Sequence, residues 1–148
     1  HIGGGPGAVQ GLLEYPDFYK VGVSGFFHDS RLIAANMMGE KYEGLKCPPQ
    51  DEQYPENKVG RLVGKLLLMH GMIDRCTPPA GTFRIVEALQ KSNKDFDLIL
   101  LPNFEHDVSG YLIRRAWDYL VRNLLESEPP KEFRLSISCG DWSEKIEI

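Results

Sequence analysis

Two short continuous apolar runs constrain the fold of this chain more than any other feature of its sequence. Leu66–Met69 lies in a predicted strand over Lys65–Gly71, and Leu98–Leu101 ends a predicted strand over Phe96–Leu101. A strand with one face in water alternates apolar and polar residues, whereas a strand of a parallel sheet is covered on both faces and is apolar throughout. The two runs therefore predict neighbouring strands of a buried parallel sheet.

Patterns typical of helices lie around these strands. Phe83, Val86, Ala88 and Leu89 recur at helical spacing. Alternating helices and short apolar strands are typical of an α/β fold, in which helices flank a parallel sheet. The other predicted features are helices over Pro6–Leu13, Ile33–Met38 and Tyr111–Leu125, a strand over Phe18–Val23, a loop over Cys47–Asn57 and a helix stop at Asn93-Lys94.

Length and composition indicate one globular domain or a piece of one. The chain has 148 residues, of which 42% are hydrophobic and 26% charged, which argues against a disordered or fibrous chain. A net charge of −4 without basic clusters argues against nucleic acid as a partner. No apolar run approaches the roughly 20 residues of a membrane span. We assign residues 1–125 to the folded domain and 126–148 to a C-terminal tail.

The cysteines argue against a metal site. Cys47, Cys76 and Cys139 lie far apart and form no C-x-x-C pair, so their spacing predicts no metal ligation. Because three is an odd number, at least one thiol is free or pairs between chains. The cysteine pattern does not determine the cellular compartment.

Polar side chains with catalytic potential follow both predicted strands. Asp74 comes after the first strand and His106 after the second. The carboxyl ends of parallel strands meet at one edge of a sheet, so we expect an Asp/His pair. A carboxylate bonded to one imidazole nitrogen orients the other nitrogen toward a nucleophile. Glycines at the chain start precede Asp74 and His106, as in the order nucleophile, acid, histidine of a nucleophile elbow.

A series of short motifs runs along the chain in a fixed order. They are His1–Gly5, Tyr15–Val23, His28-Asp29, Gly39–Tyr42, Leu66–Gly71 with Asp74, Pro78-Pro79, Asn93–Leu98, Pro102-Asn103 with His106, and Arg114–Tyr119. Together they resemble the C-terminal end of the peptidase domain of the prolyl oligopeptidase family, nearest to its dipeptidyl peptidase IV branch. The resemblance extends to about Leu125. It implies the C-terminal portion of an α/β-hydrolase fold and a serine-type peptidase that cleaves short peptides after a penultimate proline or small residue.

The resemblance implies a catalytic triad with one member replaced. In this family the elbow reads Gly-His-Ser-Gly-Gly-Gly, and its serine matches Ile2 here, while the acid matches Asp74 and the base matches His106. Isoleucine has no nucleophilic atom, so we expect the chain to form no acyl-enzyme. The Gly3 backbone N–H matches one donor of the oxyanion hole. The family's second donor is a tyrosine upstream of this chain.

Further departures from the family fall on the substrate pocket. Ala34 and Met38 match positions where the family places aromatic residues, and Cys76 takes the place of an asparagine after the acid. Since the departures concentrate at the active site and the core segments match, they favour lost catalysis. The alternative function is that of a non-catalytic pseudo-peptidase that acts in binding or assembly. An error in the sequence at Ile2 is the other explanation of that residue.

Two other interpretations are weaker. Gly3–Ala8 fits the dinucleotide fingerprint G-x-G-x-x-A, but that motif needs a preceding strand and an acidic residue about 20 positions later, and the sequence has neither. We therefore predict no cofactor. Cys76 is disfavoured as a substitute nucleophile because it lies in the loop that carries Asp74, here called the acid loop, and not on the elbow. His70 is predicted to be a strand-end residue.

The start of the chain bears on its partners. The sequence begins at His1 inside a glycine cluster and has no charged region of a signal peptide, so we expect a longer polypeptide, with a processed N-terminus as the alternative. A half sheet leaves an unpaired strand edge. We expect the missing upstream part of the domain or a homo-oligomer partner to cover this edge. In the site itself we expect a peptide substrate or a peptide ligand.

Overall fold

The computed structural model of the chain describes residues 4–28, 54–107 and 110–132. These residues fall into two compact units, one within His1–His106 and one within Asp107–Ile148. The first unit contains α1 (Gly4–Glu14), β1 (Val21–Gly25), α2 (Pro55–Lys58), a 3₁₀ turn (Val59–Arg61), β2 (Lys65–Gly71), α3 (Ala80–Lys91) and β3 (Asp97–Leu101), and the second contains α4 (Gly110–Leu124). The predicted helix over Ile33–Met38 lies outside the described residues. The predicted division of the chain at residue 125 stays a prediction.

The three described strands form one parallel sheet in the order β1-β2-β3. Val21 pairs with Lys65 between β1 and β2, and Leu67 pairs with Asp97 between β2 and β3. All residues of the middle strand after Lys65 are buried, which accounts for its continuous apolar sequence. The predicted α/β fold with a parallel sheet is confirmed, and the strand over Lys65–Gly71 has its predicted bounds.

The main hydrophobic core lies where α1 and α3 pack on one face of β2. Leu66 and Leu68 share this face because side chains two positions apart in a strand point the same way. Burying one leucine contributes about 1.5–3 kcal/mol, so this packing holds the middle strand firmly in place. The core residues are Val9, Leu12, Leu13, Phe27, Val59, Leu62, Leu66, Leu68, Ile85 and Leu89.

The buried face of α3 matches the predicted apolar stripe except at Phe83, since Leu89 lies in the core and Val86 and Ala88 pack against it. Phe83 is 40% exposed, whereas Gly81, Thr82, Ile85 and Leu89 are buried. Ile85 and Leu89 pack into the core, and Thr82 lies one turn earlier on the same face. A polar residue is buried there because it forms hydrogen bonds, which an apolar pattern does not reveal.

The helix α3 ends where the sequence predicted. Asn93 has a φ of 50°, a left-handed conformation that asparagine tolerates better than most residues. The Asn93 N–H donates to the Gln90 carbonyl at 3.0 Å, and the Lys94 N–H donates to the Leu89 carbonyl at 2.9 Å. These bonds form a Schellman motif, which satisfies the last carbonyls of the helix.

The strand predicted over Phe18–Val23 begins later in the structure. The N–H groups of Phe18 and Tyr19 both donate to the Tyr15 carbonyl, at 3.1 and 2.9 Å. They therefore form a turn after α1, and the β1 ladder begins at Val21. The aromatic residues that favoured a strand here are exposed on this turn.

The short helix α2 replaces the end of the predicted loop over Cys47–Asn57. Pro55 occupies its first turn, where the missing N–H needs no partner. Lys58 forms an ion pair with Glu14, and Arg61 lies 3.7 Å from the same carboxylate. These contacts tie α2 and the following 3₁₀ turn to α1.

The second unit consists of α4 and the segment that follows it. Arg114 and Asp118, one turn apart, form an ion pair at 2.9 Å. The Arg114 guanidinium also donates to the Pro130 carbonyl, and the Ser127 N–H donates to the Val121 carbonyl at 3.2 Å. The described start of the predicted tail is therefore bonded to its own helix.

The start of α1 approaches the end of β1 very closely. A Cβ added to Gly5 would lie 2.4 Å from the Gly25 carbonyl oxygen and 3.1 Å from the Phe27 nitrogen. The Ser24 hydroxyl, which is fully buried, donates to the Gly5 carbonyl at 2.8 Å. Only glycine allows this approach, since the atoms that a side chain would meet belong to the backbone.

Two glycines of α1 offer a matched test of this close packing. Gly5→Ala is expected to lower the free energy of unfolding by about 1–3 kcal/mol, because the backbone of β1 must shift. Gly7→Ala is expected to raise it by about 0.5–1 kcal/mol, since a Cβ there meets no atom within 4 Å. Urea unfolding of both variants checks this, and equal effects of the two substitutions would contradict it.

Candidate active site

The loop after β3 packs directly on the end of β2. The Ile73 N–H donates to the Phe104 carbonyl at 3.1 Å. A Cβ at Gly71 would lie 2.5 Å from the carbonyl oxygens of both Phe104 and Glu105, so this approach requires glycine. The contact brings the loops after the two strands together, as expected at the carboxyl edge of a parallel sheet.

The Asp74 side chain is held in this edge by four hydrogen-bond donors. Oδ1 accepts the backbone N–H groups of Cys76 and Thr77, both at 2.8 Å. Oδ2 accepts the Thr77 hydroxyl at 2.7 Å and the His106 ring at 2.7 Å. Asp74 is only 4% exposed, and a buried carboxylate is tolerated because its oxygens are satisfied in this way.

The contact between Asp74 and His106 determines which nitrogen of the imidazole carries the proton. A carboxylate can only accept, so Nδ1 of His106 carries the proton that Oδ2 receives. This leaves the lone pair on Nε2 for proton transfer, which is the arrangement of a general base oriented by an acid. The His106 side chain is 25% exposed, whereas the Asp74 carboxylate is fully covered.

The hydrogen bonds keep Asp74 ionised. Burial by itself raises the pKa of this carboxyl, but the N–H and hydroxyl of Thr77 and the ring of His106 outweigh it and lower the pKa below its usual value. The donors favour the charged form because each bond is stronger to a carboxylate than to a neutral acid.

A second histidine lies behind this pair. His70, at the end of β2, is fully buried. Its Nε2 lies 2.8 Å from the Thr77 carbonyl and 3.5 Å from Asp74 Oδ2, and its Nδ1 lies 2.7 Å from the Thr82 hydroxyl. Burial lowers the pKa of His70. The ring is therefore neutral, with Nε2–H donating to the carbonyl and Nδ1 accepting from Thr82.

The structure describes three of the predicted site residues. Asp74 and His106 lie together, and Cys76 is exposed in the acid loop, where its N–H but not its thiol contacts Asp74. The predicted nucleophile position Ile2, the predicted oxyanion donor Gly3 and the predicted pocket residues Ala34 and Met38 lie outside the described residues. The roles assigned to all of them stay predictions.

Sequence reasoning missed Thr77 as a part of the site. One signal was present, because an aspartate side chain in a loop commonly accepts the backbone N–H group two residues later. That signal does not show that the Thr77 hydroxyl would also reach Asp74 and lie 3.0 Å from His106 Nδ1. The second contact depends on the loop after β3.

Residues 4–28, 54–107 and 110–132 contain no group of three or more potential ligands that could hold a metal ion. None of their helices combines the length and the hydropathy that crossing a membrane requires.

Comparison with protein families gives a match that spans most of the chain. A model described as the prolyl oligopeptidase family matches residues 3–127. No curated protein matches the chain significantly in sequence.

Solved structures of peptidases share this fold. A protein from Bacteroides ovatus ATCC 8483 assigned as a dipeptidyl aminopeptidase IV is 25% identical over 80% of this chain, with a TM-score of 0.69. Dipeptidyl peptidase 4 of Porphyromonas gingivalis is 20% identical over 80% of the chain, with a TM-score of 0.68. The acylaminoacyl peptidase of Pyrococcus horikoshii is 17% identical over 87%, with a TM-score of 0.65.

The chain matches only a small part of each of these proteins. It spans 18% of the Bacteroides and Porphyromonas chains and 24% of the Pyrococcus chain.

The Thr77 hydroxyl can be tested with two conservative variants. Thr77→Val keeps the backbone N–H but removes the hydroxyl, so we expect the pKa of Asp74 to rise and the free energy of unfolding to fall by about 1.5–3 kcal/mol, as for bonds to charged groups. Thr77→Ser keeps the hydroxyl and should resemble the parent chain. Carbon NMR of the Asp74 carboxyl across pH checks this, and an unchanged titration in Thr77→Val would refute it.

The buried His70 predicts a loss of stability in acid. The unfolded state takes up a proton near the ordinary imidazole pKa of about 6.5, whereas the folded state, with its lowered pKa, resists it. The stability that the neutral His70 ring contributes is therefore fully present above that pH and declines as the pH falls below it. His70→Gln retains an N–H for the Thr77 carbonyl and does not titrate.

We expect the urea midpoint of the parent chain to fall more than that of His70→Gln between about pH 7 and about pH 5.5, the range in which a free imidazole takes up its proton. The same acid dependence in both proteins would mean that His70 is not the group that titrates.

Proposed function

This chain belongs to the prolyl oligopeptidase family, and from that membership we propose that it carries the acid–base half of a serine-peptidase site and binds peptides without hydrolysing them. The observation that carries the proposal is the 2.7 Å bond from His106 Nδ1 to the buried Asp74 carboxylate. The ligands would be short peptides with a proline or small residue in the second position, as the resemblance to the dipeptidyl peptidase IV branch implies.

The acid–base pair supports the peptidase side of this proposal. In acyl transfer, the base removes the proton of a hydroxyl as its oxygen attacks the peptide carbonyl, and returns that proton to the leaving amine. His106 would be that base, since its Nε2 has the lone pair and Asp74 would stabilise the imidazolium that forms. The backbone N–H of Gly3 would offer one donor to the oxyanion.

The residue at position 2 supports the non-catalytic side. Ile2 occupies the place of the family's serine, and its side chain has no atom that could attack a carbonyl. No proton would then pass to His106, and no acyl-enzyme would form. Peptide contacts do not depend on the nucleophile, so binding could persist where hydrolysis is lost.

The proposed pocket residues fit a changed ligand preference. Ala34 and Met38 would replace aromatic side chains of the family with smaller or more flexible ones. Cys76 lies beside the acid, and its exposed thiol would replace an asparagine side chain that can donate and accept hydrogen bonds. A pocket with fewer rigid rings would select its peptide less strictly.

An active peptidase and a dinucleotide-binding protein are the competing functions. An active serine peptidase would need a serine at position 2 instead of Ile2. The second would need an acidic side chain at the end of the second strand of its motif. The corresponding strand here is β1, which ends in Val23-Ser24-Gly25 and has no acidic residue.

A fluorophosphonate probe separates hydrolase from non-hydrolase, because it reacts covalently with an activated serine. We expect no labelling of the parent chain and clear labelling of Ile2→Ser. Ile2→Ala is the control for a change of size alone and should stay unlabelled. Adding His106→Gln to Ile2→Ser should reduce labelling by at least about 100-fold, the usual contribution of a general base.

Two results would contradict the proposal. Labelling of the parent chain would show a nucleophile that the sequence does not reveal. Absence of labelling in Ile2→Ser, while the downfield NMR signal of the His106 Nδ1 proton persists, would show that the pair is assembled but serves no acyl transfer. Anisotropy of a fluorescent peptide with proline in the second position tests peptide binding separately.

A further inference from the structure

The residue directly after β1 has an unusual backbone. Phe26 has a φ of 54°, in the left-handed region that a bulky side chain rarely adopts. Such a conformation persists where the surrounding structure enforces it, and these sites cluster near functional residues. Phe26 nevertheless is 9% exposed and therefore belongs to the interior of the first unit.

Contacts on both sides enforce this conformation. The Phe26 N–H donates to the Met69 carbonyl at 2.8 Å, which extends the pairing of β1 with β2. The next residue, Phe27, is 2% exposed in the core, and its carbonyl oxygen lies 3.3 Å from the Thr82 hydroxyl oxygen. The Gly5 backbone closes the turn from the side of α1.

The left-handed turn decides which phenylalanine enters the core. Ser24 faces α1, since its hydroxyl bonds to Gly5. In a straight strand, side chains alternate, so Phe26 would face α1 as well. Instead Phe27 joins the core cluster that packs against α1, and Phe26 is not a member of that cluster.

The ring of Phe26 lies against the two histidines of the candidate site. Its centroid is 4.7 Å from that of His106, with the planes at 50°. The centroid of the His70 ring is 5.6 Å away, at 65°. Both distances lie in the range of favourable aromatic contacts. The left-handed turn thus places an aromatic side chain against both imidazoles.

We propose that Phe26 is a positioning residue of the acid–base pair, which holds the His106 ring in the orientation that keeps Nδ1 on Asp74. The carboxylate fixes one edge of the imidazole, and an edge contact alone allows the ring to swing about its side-chain bonds. The Phe26 ring packs on the imidazole from another direction and blocks that motion. It also covers the pair with apolar surface, which keeps water from competing for the hydrogen bond.

The turn at Phe26 further links the pair to α1. The same backbone that presents the ring touches Gly5, at the start of the helix that follows Ile2 and Gly3. The significance of this link for acyl transfer rests on the proposed function. The orientation of His106 by Phe26 is independent of it, because it concerns only a contact between two side chains.

The first measurement uses the parent chain. We expect cross-relaxation in NMR between the ring protons of Phe26 and of His106, and a His106 ring signal shifted by the current of the aromatic ring. The absence of both would overturn the proposal without any substitution.

The second measurement removes the ring but keeps the turn. Asparagine tolerates a left-handed φ, so Phe26→Asn should remain folded, and its Nδ1 proton on His106 should exchange with water about fivefold faster, as loss of one aromatic contact implies. Phe26→Tyr keeps the ring and should restore slow exchange. Phe18→Asn removes an aromatic side chain that is 77% exposed on the turn before β1 and should change nothing.

The outcomes separate this proposal from the proposed function. Unchanged exchange in folded Phe26→Asn would overturn the positioning role, and Phe26→Leu, which retains apolar volume without a ring, carries the same test if the asparagine variant unfolds. In the Ile2→Ser background, Phe26→Asn should also slow fluorophosphonate labelling about fivefold. If Ile2→Ser itself is not labelled, the proposed function fails, while the exchange measurement still decides the role of Phe26.

Discussion

The burial of one negative charge organises the candidate site. Asp74 lies out of water, and an ion in that environment persists only if hydrogen-bond donors surround it. The acid loop supplies three of the four donors, from Cys76 and Thr77, and the loop after β3 supplies the fourth, from His106. Satisfying the carboxylate therefore requires that two loops, from two strands, meet. The neutral His70 supports the same loop from behind through the Thr77 carbonyl.

Close backbone contacts make this meeting possible. Gly71 admits the loop after β3 to the end of β2, and Gly5 admits the end of β1 to the start of α1. Phe26 lies between these two contacts in a strained conformation and turns its ring toward the histidines. The three positions share one physical reason, which is that the elements converge at the carboxyl edge of the sheet more tightly than ordinary side chains allow.

The proposed function thus joins the ordered acid–base pair with Ile2, which we place at the position that the family uses for its nucleophile. A buried charge costs stability when it is poorly satisfied, so the donors to Asp74 stabilise the fold as well as the site. The proposal is that the ordered geometry serves peptide binding and that Ile2 separates binding from hydrolysis.

The amino-acid sequence by itself determined the layers of the fold and the two members of the acid–base pair, Asp74 and His106. Continuous apolar runs are typical of strands in a parallel sheet, so they predicted β2 and β3, although in β3 only Leu101 is buried. The parallel sheet in turn placed Asp74 and His106 at one edge. What the sequence could not decide depends on contacts between distant segments. The predicted stripe of α3 holds except at Phe83, which is exposed. The buried Thr82 next to it escaped prediction, because its hydroxyl is buried through its contact with His70. Thr77 and Phe26 gain their roles only from the loops that fold against them, since hydrogen bonds and ring contacts across a tertiary structure leave no periodic pattern in the chain.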